Sequence, residues 1–351
     1  MRNKPLLSII LPNFNHAVFL EKALNDIISQ SYHPKEIIVV DDGSSDNSIE
    51  IIQCAISKNS NIKLLINDKN EGIFISTKRA LDIASGDFFY FAGADDIIYP
   101  GLFEKSIGLL NLHKSAGLCS SAGESVEADG TRTGLVGRKV SDSERLIDSD
   151  ECGELLQKEG AWMGGCTTIY RKEAYFFAGG FNADLGPYCD IFLQMTVALK
   201  FGVCFIPESL GCQRISDSSY SAKDKSDFNY FRGIYKTAEN LMLNEFCHLF
   251  TLRFIESWKS RELYLLYLSS LNQTRKKELL TTLELIKNIH FIDHIFLILI
   301  KFLATVKFSI ICIYLYFRNG ADMRFIFKKA LGIKFQQLKY KLMLVVKNNR
   351  Y

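Results

Sequence analysis

Four times in its N-terminal part the chain repeats one pattern: a short apolar run, a polar loop, then apolar residues at helical spacing. The runs cover residues 7–11, 36–40, 62–66 and 87–90, each short and rich in Ile, Val, Leu or Phe, which reads as buried strand. Helical spacing resumes at Phe19, Leu20, Ala23, Leu24, Ile27 and Ile28, then at Ile49, Ile52, Ala55 and Ile56, and again over residues 76–84. After the fourth run, Pro100-Gly101-Leu102 opens a further helical stretch. This alternation predicts a mostly parallel central sheet covered by helices, an α/β fold.

The residues that end those strands bear on function. The first run meets Pro12-Asn13-Phe14-Asn15, the second Asp41-Asp42-Gly43-Ser44, and the fourth Phe91-Ala92-Gly93-Ala94-Asp95-Asp96. Ligands of open α/β sheets gather outside the carboxyl ends of the strands, so the three signatures share one edge. Each alone suits an ordinary loop cap; together they predict a nucleotide pocket. Phe14 offers a face for a base, and Asp42 can accept from a base N–H or a ribose hydroxyl. Asp95 and Asp96 suit a ribose contact and a divalent cation, Mn2+ or Mg2+, that bridges phosphates. The sequence leaves open which of these two acids is the principal metal ligand.

Downstream, the polar interval 120–151 reads as loops or hairpins, residues 166–170 as a strand, and Gly179-Gly180-Phe181 as a turn. Tyr188-Cys189-Asp190 enters a helix, residues 202–207 return as a short strand, and from Lys223 onward the pattern is helical. The expected organisation is a nucleotide-binding half at 1–98, a second half at 99–222 and a helical, membrane-associating region at 223–351. With 48% hydrophobic and 23% charged residues in a chain of 351, a folded protein is expected and disorder is not. The nine cysteines form no Cys-x-x-Cys pair and have no histidine at metal spacing, as expected of reduced thiols in the cytoplasm. The apolar run near the N-terminus is broken by Pro12 and is too short for a secretory signal. His290 and His294, four apart in apolar surroundings with Asp293 as the nearby acid, do not suggest a zinc site.

On its strand-end motifs the chain resembles the family 2 glycosyltransferases of the GT-A fold, over residues 6–214 and in the manner of bacterial surface-polysaccharide enzymes. The family's opening strand and Pro-x-Tyr-Asn correspond to Ser8-Ile9-Ile10-Leu11-Pro12-Asn13-Phe14-Asn15. Its Glu-Ile-Ile-Val-Val-Asp-Asp-Gly-Ser-Ser-Asp stands at residues 36–46, and Asn70-x-Gly72 also matches. The resemblance implies donor contacts from Pro12, Asn13, Phe14, Asn15, Asp42, Asn70, Gly72 and Asp95, with metal contacts from Asp95 and Asp96. Two departures stand out. The family's Asp-x-Asp-Asp appears as Gly93-Ala94-Asp95-Asp96, without its first acid, which implies weaker metal affinity. Phe14 lacks the usual hydroxyl, which implies altered base recognition.

Thr77-Lys78-Arg79 stands where the family often has an Arg-Asn pair, so Lys78 or Arg79 contacts the diphosphate, or both belong to a solvated helix face. Arg214 resembles a late arginine of the family that closes over phosphates; a surface ion pair is the alternative. The resemblance places the catalytic base at Asp190, although an acid there also suits a helix N-cap. Trp162, Gly164 and Gly165 form either an acceptor platform or a core tryptophan beside a turn.

Residues 318–351 hold nine Lys and Arg against Asp322, a local charge of +8 within a total of +3, which leaves −5 elsewhere. The preceding apolar residues 291–317 are interrupted by Asp293, His294, Lys301 and Lys307. The expectation is an interfacial helix with a basic tail on the anionic inner face of the cell membrane, with no nucleic-acid partner. A helical subdomain and a single span over residues 295–317 are the alternatives. The resemblance implies a metal-dependent, inverting transfer of sugar from a nucleotide-sugar donor to a glycan or lipid-linked glycan acceptor, in cell-surface polysaccharide biosynthesis. The rivals are a nucleotidyltransferase and a catalytically silent glycan- or membrane-binding protein of the same fold.

Overall fold

The computed structural model describes residues 4–127, 129–215 and 228–271. The chain opens with β1 (Leu7–Asn13), α1 (Ala17–Ile28), β2 (Glu36–Asp41), α2 (Ser48–Lys58), β3 (Ile62–Ile66), α3 (Ile73–Ile83) and β4 (Phe88–Phe91). Then follow β5 (Ile97–Ile98), α4 (Leu102–Leu112), β6 (Leu118–Glu127), β7 (Arg132–Val136), β8 (Arg145–Ile147) and α5 (Ser149–Glu159). The last described elements are β9 (Thr168–Arg171), α6 (Lys172–Phe177), α7 (Cys189–Phe201), β10 (Val203–Ile215), α8 (Phe228–Leu243) and α9 (Leu252–Leu271).

The strands form one sheet in the order β3-β2-β1-β4-β9-β6-β10-β5, with β7 paired to β6 and β8 to β10. β1, β2, β3 and β4 are parallel, as are β6 and β10, while β9 runs antiparallel to both β4 and β6 and joins the two parallel groups. Every residue of β2 is buried, and Leu7, Ile9, Ile10 and Leu11 of β1 are fully enclosed. Burial of a parallel strand on both faces explains why these runs are continuously apolar instead of alternating. The order reverses at β1, with β2 on one side and β4 on the other, and such a reversal leaves a crevice at the carboxyl ends.

Two segments differ from the sequence reading. Residues 120–127 belong to the central strand β6, although serines recur there. Small hydroxyl side chains can be buried when bonded: the Ser120 hydroxyl accepts from the Thr168 hydroxyl, and the Ser121 hydroxyl donates to the Ala122 carbonyl. β10 extends well past residue 207, because Pro207 falls at a register shift between Ile206 and Ser209, where a missing N–H costs no ladder bond. The eight described cysteines are all unpaired.

The described residues up to Leu156 and from Ala161 to Phe250 form one compact unit, which contains the whole sheet and α8. Gln157–Gly160 and the described residues 251–271 belong to a second, in which Arg261 Nη1 donates to the Gln157 carbonyl. No helix among the described residues is long and apolar enough to cross a membrane. The apolar stretch 291–317 and the basic tail lie outside the described residues.

Candidate active site

A cleft of about 320 Å³ opens where the strand order reverses. It gathers Pro12, Asp95, Asp96, Asp190 and Arg214, five of the residues expected from sequence. Asp95 and Asp96 follow β4, and Asp190 lies in the first turn of α7. Residues far apart in the chain therefore share one cavity.

Asp96 sits on the floor of this cleft. Its carboxyl pKa rises from 3.8 to about 7, first because burial penalises the charge and then because Asp95 repels it. Arg214 opposes the rise: its backbone N–H donates to Asp96 Oδ1 at 3.2 Å, and its cation lies nearby. The same arginine donates from Nε to the Asp95 carbonyl and from Nη1 to the Glu127 carbonyl, and its guanidinium lies 4.3 Å from the centre of the Phe19 ring. Arg214 thus ties the end of β10 to the acidic turn. The space at Gly93 is also explained: a β-carbon there would lie 2.6 Å from Asp96 Oδ2. The Asp96 carboxylate crowds the point from which a first acid would project.

Among the described residues, no group of three or more Asp, Glu, His or Cys side chains forms a metal cage. Hard divalent cations commonly take only one or two carboxylates and complete their shell with water and substrate phosphates. The pair Asp95 and Asp96 fits that mode, since a cation held by these carboxylates would relieve their mutual repulsion.

Asp190 accepts from the Ile191 N–H through Oδ1 at 2.7 Å, while Oδ2 lies 3.1 Å from where a β-carbon on Gly165 would stand. Burial raises its pKa above 3.8, and the backbone bond only partly offsets this. A carboxylate with raised proton affinity and one free oxygen in a cleft suits a general base.

The other residues expected to contact a donor brace the loops. Asn13 donates to Asp41 Oδ2, Asn15 takes a left-handed backbone (φ 55°) and accepts from the Ser45 N–H, and the Ser44 hydroxyl links both loops. Asp42 is 4% exposed and accepts from the Asn67 side chain and from the Glu71 and Gly72 N–H groups, which folds the 70–72 turn against β2. Its pKa falls, since these bonds outweigh burial. Phe14 and Asn70 are exposed outside the cleft lining, and Lys78 faces solvent paired with Asp82. Trp162 is 1% exposed and edge-on to Phe205, so it presents no open indole face. Gly164 packs on Val136 and Thr167.

Sequence reasoning missed His16, Phe74, Thr77, Phe181, Pro187 and Gln213, which also line the cleft. Phe74 and Thr77 lie within one turn on α3, a helical spacing that could have flagged them. Phe181 carried no such signal beyond its two preceding glycines.

This architecture is the GT-A fold. Among solved structures, S. aureus TarS 1–349 in complex with UDP-GlcNAc superposes with a TM-score of 0.63 at 16% identity, covering 80% of this chain and 79% of that one. A mannosyltransferase from Pyrobaculum calidifontis, PcManGT, in complex with GDP-Man and Mn2+, gives 0.53 at 16% identity, covering 87% and 82%. Residues 8–175 match the family described as Glycosyl transferase family 2. A Haemophilus influenzae protein described as an uncharacterized glycosyltransferase is 34% identical over 36% of this chain and 52% of its own length. The GalNAc(5)-diNAcBac-PP-undecaprenol beta-1,3-glucosyltransferase of Campylobacter jejuni is 39% identical over 28% of this chain and 32% of its own. These two matches span about half or less of the relatives' lengths. The family match, the glycosyltransferase relatives and the GT-A neighbours all support a family 2 glycosyltransferase, the family match itself covering just under half of the chain. The match ends before Asp190.

Proposed function

We propose that the protein transfers one sugar, with inversion, from a nucleoside diphosphate donor to a glycan or lipid-linked glycan acceptor. The observation that carries this reading is the single cleft joining Asp95 and Asp96 to Asp190. Asp190 removes the proton of an acceptor hydroxyl as that oxygen bonds to the anomeric carbon. The bond from that carbon to the diphosphate breaks, and its electron pair leaves with the nucleoside diphosphate. Asp95 and Asp96 would hold a divalent cation, which when bound neutralises charge on the leaving diphosphate.

The donor class is supported by the nucleotide sugars held in TarS and in the mannosyltransferase, and the lipid-linked acceptor by the Campylobacter relative. A cell-surface polysaccharide setting at the inner membrane face accords with the basic residues 318–351. A panel of UDP- and GDP-sugars, screened for thermal stabilisation with and without Mn2+ and for the released nucleotide, tests the proposal. Metal-dependent stabilisation with release of nucleoside diphosphate is expected. Release of pyrophosphate, or no turnover of any donor with cell-envelope lipid extracts as acceptor, would sink it.

A further inference from the structure

We propose that α8, which lies beyond the residues matched to the family, belongs to the acceptor machinery, with Tyr230 as a positioning residue that clamps the turn presenting Asp190. The inference rests on the reading of Asp190 as base. A 3-10 turn at Ala183–Tyr188 leads directly into α7, and Gly186 at its middle has φ 48° and ψ −130°, a backbone state that favours glycine. The Tyr230 hydroxyl presses against the point where a β-carbon on Gly186 would be, and Ile234 Cδ1 lies 3.2 Å from the same point. Next to Ile234 on α8, the Tyr235 ring meets Tyr188 edge to face at 5.5 Å. Contacts from one helix therefore reach the main chain four residues before Asp190 and the side chain two residues before it.

The consequence is geometric. Asp190 Oδ1 is tied to the N–H of its own helix, so the direction of the carboxylate follows the position of the α7 backbone. Gly165 bounds Asp190 on the other side, with its missing side chain leaving room for Oδ2. Pro187, within the clamped turn, also lines the cleft. A shift of the turn would move the base relative to the acceptor oxygen, and a displacement of ~1 Å in such an arrangement costs on the order of 100-fold in rate.

Peptide-resolved hydrogen exchange on the full chain, without ligand, reads the clamp. Tyr230→Ala is expected to speed exchange over residues 183–191 and leave β1 to β4 at wild-type rates. In the same variant, nucleoside diphosphate release from the turned-over UDP- or GDP-sugar should fall about 10- to 100-fold with donor KM unchanged. Tyr230→Phe keeps the ring and removes the atom seated on Gly186, so a smaller loss with the same split is expected. Unchanged exchange over 183–191 in both variants, or faster exchange there with wild-type release, overturns the clamp. If Tyr230→Ala loosens the entire unit, Tyr230→Phe decides by the same two readouts. Full release by Asp190→Asn would remove the base and leave the exchange difference standing, so the two failures are distinguishable.

Discussion

The two sides of the cleft are held in opposite ways. On the donor side, adjacent loops are tied by polar bonds: Asn13 and Ser44 to Asp41, Asn15 to Ser44 and Ser45, and Asp42 to the 71–72 backbone. On the acceptor side, rings and close main-chain contacts take over, with Phe91 against Phe181 at 4.6 Å and stacked on Tyr175 at 5.1 Å. Polar bonds consume the acceptors they satisfy, which is why Asp41 and Asp42 have little capacity left for a ligand. Apolar support consumes none, and Asp190 keeps a free oxygen. Under the proposed function, the bonded loops give the donor side its shape, Asp95 and Asp96 its charge, and the apolar side an open carboxylate oxygen at Asp190.

The sharpest way to break this comparison is Asp190→Asn. Loss of a positioned base typically costs about 100- to 10,000-fold, so sugar transfer should fall by that order while Mn2+-dependent donor binding persists. Asp96→Ala should do the converse and abolish metal-dependent donor stabilisation. Equal loss of donor binding in both variants, measured by thermal shift with the turned-over nucleotide sugar, would erase the distinction.

The next effect concerns stability at the opposite edge of the sheet. Glu36, at the amino end of β2, is 2% exposed; burial would raise its pKa, but Lys63, Ser8 and Ser85 together hold it down from 4.5 to about 2. The folded value lies below the unfolded one, so the stabilisation is complete above about 4.5 and is lost as pH falls toward about 2. At ~1.4 kcal/mol per unit this amounts to about 3 kcal/mol. Glu36→Gln should lose a comparable amount at neutral pH and flatten that acid limb in urea unfolding, with donor KM unchanged. An unaltered acid limb would show that the buried network carries no such energy.

A smaller effect tests the acidic turn. Gly93→Asp restores the family's first acid on paper, yet its β-carbon would meet Asp96 Oδ2 and Cγ at 2.6 and 2.8 Å. The Asp96 carboxyl must then turn away from its bond with the Arg214 N–H, and a third carboxyl joins Asp95 and Asp96 in one turn. The variant should therefore bind Mn2+ and donor no better than wild type and melt at lower temperature. Tighter metal-dependent binding would mean that Asp96 readily gives way.

The same contrast explains what the sequence could reveal. Donor-side motifs are contiguous, each at the end of its own strand, so the edge that carries Asp95 and Asp96 was legible from periodicity and turn residues. The acceptor side combines Gly165, Phe181 and Asp190 with residues of α8, and no local pattern records those meetings. Burial was equally hidden: Trp162 has the chemistry of a sugar platform and the location of a core residue. Ser120 and Ser121 resemble loop residues, yet β6 buries them because their hydroxyls find partners on β9 and within β6 itself.

Lys78 gives the smallest expected effect and sharpens the comparison from the donor side. It lies one residue from Thr77, which lines the cleft, but adjacent helical positions point about 100° apart. Its side chain is 75% exposed and pairs with Asp82, itself 59% exposed, at i,i+4. Such pairs contribute little, because solvent and salt screen both charges. Lys78→Ala should leave donor KM and melting temperature unchanged within error, with Lys78→Glu raising donor KM only modestly through loss of long-range attraction. A many-fold rise in donor KM for the alanine variant would mean that this lysine swings across the helix onto the diphosphate, and that the donor side retains a mobile charge that its bonded loops do not.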